Sequence, residues 1–175
     1  FKAFGQAIKD EFDFEPFFNG TLFKQGTELV AMQRGNLEMG NIAPQDISKQ
    51  IPAWSILTAA YLFRDADHMQ KFLESPTYAA LTAKLRSEQG LRILAAAPTQ
   101  PRILFSKKPV ASLADLNGVK MRVPEIKTYL TLWETLGTRP SRLAWGEIYL
   151  GLKTGVVEGD EGPISSAYAA KVREA

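Results

Sequence analysis

The sequence predicts an α/β protein in which helices cover a largely parallel sheet. Short apolar segments typical of strands alternate with helical segments of roughly ten residues, as expected when strands are joined by helical crossovers. Hydrophobic residues make up 45% of the 175 residues and charged residues 23%, which is the composition of a globular protein with a real core. This composition excludes a disordered chain, which needs low hydrophobicity and high net charge.

Helices are predicted where apolar residues recur at helical spacing between recognisable end residues. The clearest helix begins at Pro76, which suits a first turn, and ends before Gly90, which can adopt a left-handed conformation. Either Asp65 or Asp67 can cap the helix before it, which runs through Leu73. Further helices are predicted over residues 1–8, 27–34, 126–136, 147–153 and 163–174.

Strands are predicted where apolar residues form short runs bounded by turn residues. These runs cover residues 12–18, 37–43, 91–97, 102–107, 119–123 and 143–145. The apolar stretch Ile51–Phe63 is irregular, so its pattern leaves coil, strand and short helix open. The two prolines Pro98 and Pro101 predict a division into two α/β lobes, residues 1–97 and 98–175, that share crossing strands.

Charge and cysteine content exclude several classes of protein. The chain has 21 Lys and Arg against 19 Asp and Glu, a net charge of +2, whereas nucleic-acid binders normally carry a large positive excess. It has no cysteine, which excludes a disulfide scaffold, a thiolate zinc site and a cysteine nucleophile. No apolar stretch reaches the about 20 residues that span a bilayer.

No pattern typical of an enzyme is found. The only histidine, His68, lies in a predicted helix without the second histidine at helical spacing that a metal site would need. A glycine-rich phosphate loop and a Gly-x-Ser-x-Gly turn are both missing. The acidic residues Glu158, Asp160 and Glu161 could serve acid–base chemistry or hold a cation, but such clusters are more often solvated or paired with structural bases. We therefore expect no catalysis, no metal and no cofactor.

Arg122 is the strongest candidate for a binding residue. It lies inside the predicted strand 119–123, just before Pro124, and a charge buried there needs a partner. The partner is either a carboxylate of this chain or that of a ligand, which the guanidinium fork suits and which binds at strand ends in α/β proteins. The residues alone favour neither. Arg102, at the head of another strand, is a weaker candidate, and Trp145 is expected in the core or in a cleft wall.

Several segments carry recognisable motifs, among them LADLNGVKMRVP at Leu113–Pro124 and LKTGVVEG at Leu152–Gly159. Together these segments resemble the solute-binding proteins of TRAP (tripartite ATP-independent periplasmic) transporters, the DctP family. Leu113–Pro124 (LADLNGVKMRVP) is similar to the family's DLxGxKxRxP segment, and Leu152–Gly159 (LKTGVVEG) to its LxTGxx[DE]G segment. Similar matches are NGTL at 19–22, LFRD at 62–65, LGTRP at 136–140 and WGEIY at 145–149. The motifs follow the family's order over the whole chain, and this makes the resemblance specific.

The resemblance implies a two-lobed, type II-like periplasmic-binding-protein fold, with sheets flanked by helices and a ligand cleft between the lobes. It implies a periplasmic, monomeric protein that binds an organic acid, such as a C4-dicarboxylate, and delivers it to the membrane subunits of a TRAP permease without spanning the membrane itself. No nucleic acid is expected as a partner. A sensor protein that feeds a signalling partner is an alternative with the same residues, and a small acid–base enzyme is a weaker one.

The resemblance also implies ligand-binding roles for four residues. Arg122 matches the arginine that forms a salt bridge with the ligand carboxylate, Arg102 matches a second arginine that reaches the ligand, and Trp145 falls where the family places a cleft aromatic. Gly162 replaces an asparagine whose amide contacts the ligand, because residues 160–163 read DEGP where the family usually has QENP. The chain also looks like an internal fragment without a leader, the family's first strand and its C-terminal part.

Overall fold

A four-stranded mixed sheet lies in the second half of the chain in the computed structural model, which describes residues 2–175. Its strands are β1 (Arg102–Ser106), β2 (Lys120–Val123), β3 (Arg139–Arg142) and β4 (Gly159–Pro163), in the spatial order β1-β4-β2-β3. β2 pairs in parallel with both β3 and β4, whereas β1 runs antiparallel to β4. The predicted α/β class is therefore confirmed, with an antiparallel strand at one edge.

Helices make up most of the remaining regular structure. Within residues 2–175 the α-helices are α1 (Lys2–Ile8), α2 (Glu28–Gln33), α3 (Pro44–Ile47), α4 (Ala66–Leu73), α5 (Pro76–Gln89), α6 (Lys127–Thr135), α7 (Ile148–Lys153) and α8 (Ile164–Ala169). Short 3₁₀ helices cover Pro52–Thr58, Leu113–Leu116, Trp145–Glu147 and Val172–Glu174. None of the helices in this described part is long and apolar enough to cross a membrane.

The end residues explain why α4 and α5 form where the sequence predicts them. The side chain of Asp65 accepts a hydrogen bond from the backbone N–H of His68 at 2.7 Å, and Ser75 accepts one from that of Tyr78 at 3.2 Å. Each bond satisfies one of the amides that the first turn of a helix leaves without a partner. Gly90 ends α5 with a φ of 68°, which glycine adopts at little cost.

The buried apolar residues fall into three clusters. The first packs α2, α3, the Pro52–Thr58 helix and α5 together and contains Leu29, Ile47, Ile51, Trp54, Tyr78 and Leu85. The second lies between the sheet and α6 and contains Leu116, Met121, Val123, Ile126, Tyr129 and Trp133. The third surrounds α7 and α8 and contains Ile148, Leu152, Val157, Ala167 and Val172. The sheet is thus held between two of these clusters.

Four predicted strands are wrong. Residues 12–18, 37–43 and 91–97 have no regular strand structure, because no described segment pairs with them, and a strand exists only where a neighbour accepts its hydrogen bonds. Residues 143–145 follow a strand rather than form one, since β3 lies at 139–142 and Trp145 already begins a 3₁₀ helix. The predicted helix over 163–174 is interrupted at Lys171, whose φ of 55° is left-handed.

Candidate functional site

Arg122 lies at the carboxyl end of β2 with its guanidinium group almost wholly buried. Only 2% of the side chain is exposed. Its Nε donates to the carbonyl oxygen of Leu143 at 2.9 Å, and its Nη2 donates to Oε1 of Gln25 at 3.3 Å. Its Nη1 lies 3.5 Å from Oδ1 of Asp160. The backbone bond to Leu143 fixes the orientation of the guanidinium, so the Nη1–Nη2 edge faces the other two partners.

Asp160, on the adjacent strand β4, is the carboxylate partner of Arg122 within this chain. Its side chain is completely buried, and within residues 2–175 no group donates a hydrogen bond to its Oδ2. Burial raises the pKa of Asp160 to about 6, although the positive charge of Arg122 acts to lower it. Burial likewise lowers the pKa of Arg122, against the opposing effect of Asp160. The attraction within the pair therefore does not fully offset the loss of hydration.

Arg102 forms a second and tighter ion pair on the other edge of β4. Its Nε and Nη2 donate to the two carboxylate oxygens of Glu161 at 2.5 and 2.7 Å, and Nη2 also reaches the Glu161 carbonyl oxygen at 3.1 Å. The guanidinium carbon lies 5.1 Å from the centre of the Tyr129 ring. Although burial acts to lower the pKa of Arg102, the hydrogen bonds to Glu161 raise it above its usual value.

Gln25 brings the first half of the chain to Arg122. Its Oε1 accepts from Arg122 and also from the backbone N–H of Trp145, at 3.0 Å. The Trp145 ring centre lies 5.8 Å from the guanidinium carbon of Arg122, within cation–π range. Burial raises the pKa of Asp46 on α3, and hydrogen bonds from Lys49 and Gln25 act against this. One amide side chain therefore links α3, β2 and the Trp145–Glu147 helix.

Gly162 leaves open space beside Arg102. A Cβ atom built on this buried residue would meet only Nη2 of Arg102, at 3.9 Å, an ordinary van der Waals distance. The position therefore has room for a side chain that this sequence does not supply. It stands beside both ion pairs, since Asp160 and Glu161 precede it in the same strand.

The four residues that the resemblance implies for ligand binding lie on adjoining elements. Arg102 begins β1, Arg122 lies in β2, Gly162 lies in β4, and Trp145 begins the helix after β3. Sequence reasoning missed Gln25, which is uncharged and lies far from the others along the chain. It also left open which carboxylate pairs with Arg122.

The acidic residues of the 158–161 segment each pair with a base, as the more common interpretation of such clusters predicts. Glu158 lies 3.1 Å from Nζ of Lys108, and the other two bind the arginines described above. His68 lies elsewhere, with its ring centre 5.6 Å from that of Phe63. In the described part of the chain, no three His, Cys, Asp or Glu side chains are grouped so that they could hold a metal ion.

Known proteins are similar to this chain in sequence and in fold. The chain is 30% identical over 180 residues to the ectoine/5-hydroxyectoine-binding periplasmic protein UehA of Ruegeria pomeroyi, covering 98% of this chain and 53% of that protein. It is 30% identical over 166 residues to the C4-dicarboxylate-binding periplasmic protein DctP of Rhodobacter capsulatus, covering 93% and 49%. The ligands in these two names differ, so C4-dicarboxylates are only one of several ligand types among the relatives.

A solved structure gives the same result for the fold. The crystal structure of a TRAP periplasmic solute binding protein from Roseobacter denitrificans with bound 3-deoxy-D-manno-oct-2-ulosonic acid has a TM-score of 0.92 and 28% identity, over 98% of this chain and 58% of that one. The chain spans about half the length of the curated relatives described above. Residues 2–175 match the family model described as bacterial extracellular solute-binding protein, family 7. The chain therefore belongs to this family, the DctP family that its motifs resemble.

Proposed function

We propose that this chain is part of the extracytoplasmic solute-binding subunit of a TRAP transporter, which binds an organic acid and delivers it to the membrane permease. Membership of the family supports the transport role and the periplasmic location. The relatives named above bind a sugar acid, a C4-dicarboxylate or ectoine, and these share a carboxylate group. The observation that carries the proposal is the buried Nη1–Nη2 edge of Arg122.

The Nη1–Nη2 edge of Arg122 makes only long contacts with Gln25 and Asp160, so a ligand carboxylate could bind it more tightly. Both distances, 3.3 Å to Gln25 and 3.5 Å to Asp160, are longer than the about 2.7–2.9 Å of a good charge-assisted hydrogen bond. The acceptor on Nη2 is a neutral amide oxygen, which also receives the Trp145 N–H. A ligand carboxylate that displaces Gln25 would therefore gain a charged arginine and a backbone donor together.

The neighbouring residues have complementary roles in this proposal. Nε and Nη2 of Arg102 bind the carboxylate of Glu161. Nη1 of Arg102 is therefore the atom that we expect to reach the ligand. Trp145 would form a wall of the cleft beside the guanidinium. The space at Gly162 would accommodate a larger group of the ligand. Arg102 would contact that group, since Gly162 has no side-chain amide to do so.

We also propose that residues 1–97 and 98–175 belong to two lobes that close on the ligand. Support comes from the first apolar cluster, which contains only residues from the first range, and from the other two, which contain only residues from the second. Gln25 joins the two ranges directly at Arg122. Closure would bury the acid between them, as in other hinged binding proteins.

The proposal is tested by a thermal-shift screen of the full-length protein against sugar acids, dicarboxylates, keto acids, aromatic acids and ectoine. A ligand at 100 times its Kd should stabilise the protein by about 2.7 kcal/mol, and this should appear as a rise in Tm. We expect Arg122→Ala to raise the Kd of that ligand by roughly thirty- to several-thousand-fold, since truncating a buried charge pair costs about 2–5 kcal/mol.

Two further variants keep this test decisive. Arg142→Ala removes an exposed arginine of the neighbouring strand β3 and should leave the Kd unchanged. The double variant Arg122→Met/Asp160→Asn removes both charges of the buried pair, so that a loss of binding is separated from the cost of an unpaired Asp160. An unchanged Kd in both Arg122 variants, or the lack of any Tm shift across the panel, would contradict the proposed function.

A further inference from the structure

The charges around Arg122 are already balanced without a ligand. The basic side chains are Arg122, Arg102 on β1 and Lys49, which pairs with Asp46 at 3.5 Å. The acidic ones are Asp160 and Glu161 on β4 and Asp46 on α3. The electrostatic effects on Arg122 and Asp160 come from these same side chains, and the Tyr129 hydroxyl from α6 is uncharged at neutral pH. Three positive charges therefore face three negative ones.

An acid that binds in this site would upset the balance. Its carboxylate would share the Arg122 guanidinium with Asp160, which lies 3.5 Å from Nη1. The buried group would then carry one negative charge in excess, and an uncompensated charge is costly in a place that water does not reach. Since the oxygen that Gln25 supplies is neutral, exchanging it for a carboxylate does not remove this cost. A ligand that brings its own positive charge avoids it.

Asp160 also has an acceptor that lacks a donor. Its Oδ2 is buried and receives no hydrogen bond from residues 2–175. A buried acceptor in this condition destabilises the protein until a donor reaches it. An ammonium or amidinium group on the ligand would supply that donor and the missing positive charge in one contact, with the ligand carboxylate on Arg122 beside it.

We propose that Asp160 is a specificity-determining residue, which makes the site select a zwitterionic acid, with a protonated nitrogen next to its carboxylate, over an acid with a hydroxyl group there. This inference rests on the proposed function, because it assumes that Arg122 receives the carboxylate. The side chain that supplies the negative charge, Asp160, is completely buried on β4. A pKa of about 6 leaves Asp160 mostly ionised at pH 7.5, where the selection should operate.

The test compares matched pairs of 2-amino and 2-hydroxy acids on the full-length protein at pH 7.5. The pairs are alanine and lactate, aspartate and malate, glutamate and 2-hydroxyglutarate, and phenylalanine and phenyllactate, and the Kd of each is measured by calorimetry. For the pair that fits the cleft, we expect the amino acid to bind about tenfold more tightly or better. Asp160→Asn and Asp160→Gln should remove that preference, whereas Glu158→Gln, which neutralises a carboxylate paired with Lys108 elsewhere on the same segment, should retain it.

The possible results separate the two proposals. Equal or tighter binding of the hydroxy acids by the wild-type protein would overturn the inference and leave the proposed function intact. A preference for the amino acid that survives in both Asp160 variants would do the same.

Calorimetry of the wild-type protein in two buffers of different ionisation enthalpy gives an answer that does not depend on variant folding. Amino acid binding should take up no proton, and uptake of about one proton would show that Asp160 is neutralised by protonation instead. If no acid of the panel or of the pairs binds, the proposed function fails, and the inference fails with it.

Discussion

Arg122 and Asp160 form a buried ion pair with poor geometry. The single contact of 3.5 Å differs from the bidentate bonds of 2.5 and 2.7 Å between Arg102 and Glu161, although the residues lie on the same sheet. A buried pair with poor geometry does not recover its desolvation cost. The arrangement is therefore better explained by a role in binding than by a contribution to stability.

The raised pKa of Asp160 makes a prediction about pH. Because the folded protein binds this proton more tightly than the unfolded chain, with a pKa of about 6 against 3.8, stability should increase as the pH falls through this range. Between pH 7 and pH 5 the contribution of Asp160 amounts to about 1 kcal/mol. Urea unfolding at both pH values should show this gain in the wild-type protein relative to Asp160→Asn. A difference between the two proteins that does not change with pH would contradict it.

The sequence could identify Arg122 but not its surroundings. A charged residue within an apolar strand is conspicuous, and its position before Pro124 places it at a strand end. Its partners Asp160 and Gln25 lie 38 and 97 positions away along the chain, so only the folded structure brings them together. No charge, motif or periodicity marks Gln25 in the sequence. Its role depends on one amide oxygen that accepts hydrogen bonds from two donors on distant elements.

At the scale of elements, β4 is the strand that organises the site. It lies between β1 and β2 and carries Asp160, Glu161 and Gly162 in succession, so the two arginines reach it from opposite sides. Its sequence, GDEGP, has none of the apolar or β-branched residues that favour strands. No strand is predicted there from the sequence, because the pairing of β4 comes from its neighbours and its charges are satisfied by their arginines.

Two glycines of β4 give a matched prediction. A Cβ at Gly159 would lie 2.9 Å from Sδ of Met121 and 3.1 Å from the carbonyl oxygen of Phe105, so Gly159→Ala must separate β4 from both neighbours. We expect it to lower the free energy of unfolding by about 1–3 kcal/mol. Gly162→Ala, which meets nothing closer than 3.9 Å, should be neutral or stabilising by up to about 1 kcal/mol. Urea unfolding of the two variants measures this, and similar losses in both would contradict the packing explanation.

Elements with strong end residues were predictable, whereas elements that depend on partners were not. The bounds predicted for α5 agree with the structure because Pro76 and Gly90 determine them locally. Residues 12–18, 37–43 and 91–97 have strand-like composition but no described neighbour to pair with. β3 was misplaced by a few residues, since its sequence RPSR is polar and its register is set by hydrogen bonding to β2.

At the scale of the whole molecule, few polar contacts connect the first half of the chain to the sheet. The side-chain oxygen of Gln25 binds Arg122 and Trp145, and the hydroxyl groups of Thr58 and Thr128 lie 3.2 Å apart. Lys24 also forms an exposed ion pair with Glu147 at 3.6 Å. Trp145 and Glu147 belong to one short helix, and Thr128 precedes Tyr129, whose ring lies against Arg102. Under the proposed function, a ligand that enters between these elements has to rearrange the contacts that hold them together. We therefore expect binding to be coupled to the relative position of the two halves.

Gln25→Met should separate stability from binding. Methionine keeps the length of the side chain but removes the oxygen that occupies Arg122 and the Trp145 N–H, so these donors lose their acceptor. We expect the ligand-free protein to lose about 1–3 kcal/mol of stability, the usual cost of a buried polar group without a partner. Ligand binding should become tighter, because the acid no longer displaces Gln25, and the rise in Tm on binding should grow as the ligand-free Tm falls.

Gln33 provides the control for this last prediction. The exposed side-chain amide of Gln33 forms hydrogen bonds with Gln50 and Gln89, which lie away from Arg122. Gln33→Met should therefore change neither the Kd nor the ligand-induced rise in Tm. If Gln25→Met lowers both stability and affinity, Gln25 contacts the bound acid, and it is not merely a group that occupies Arg122 until the acid displaces it. Stability and affinity that move in opposite directions would show that the amide of Gln25 occupies Arg122 in the ligand-free protein and is displaced by the acid.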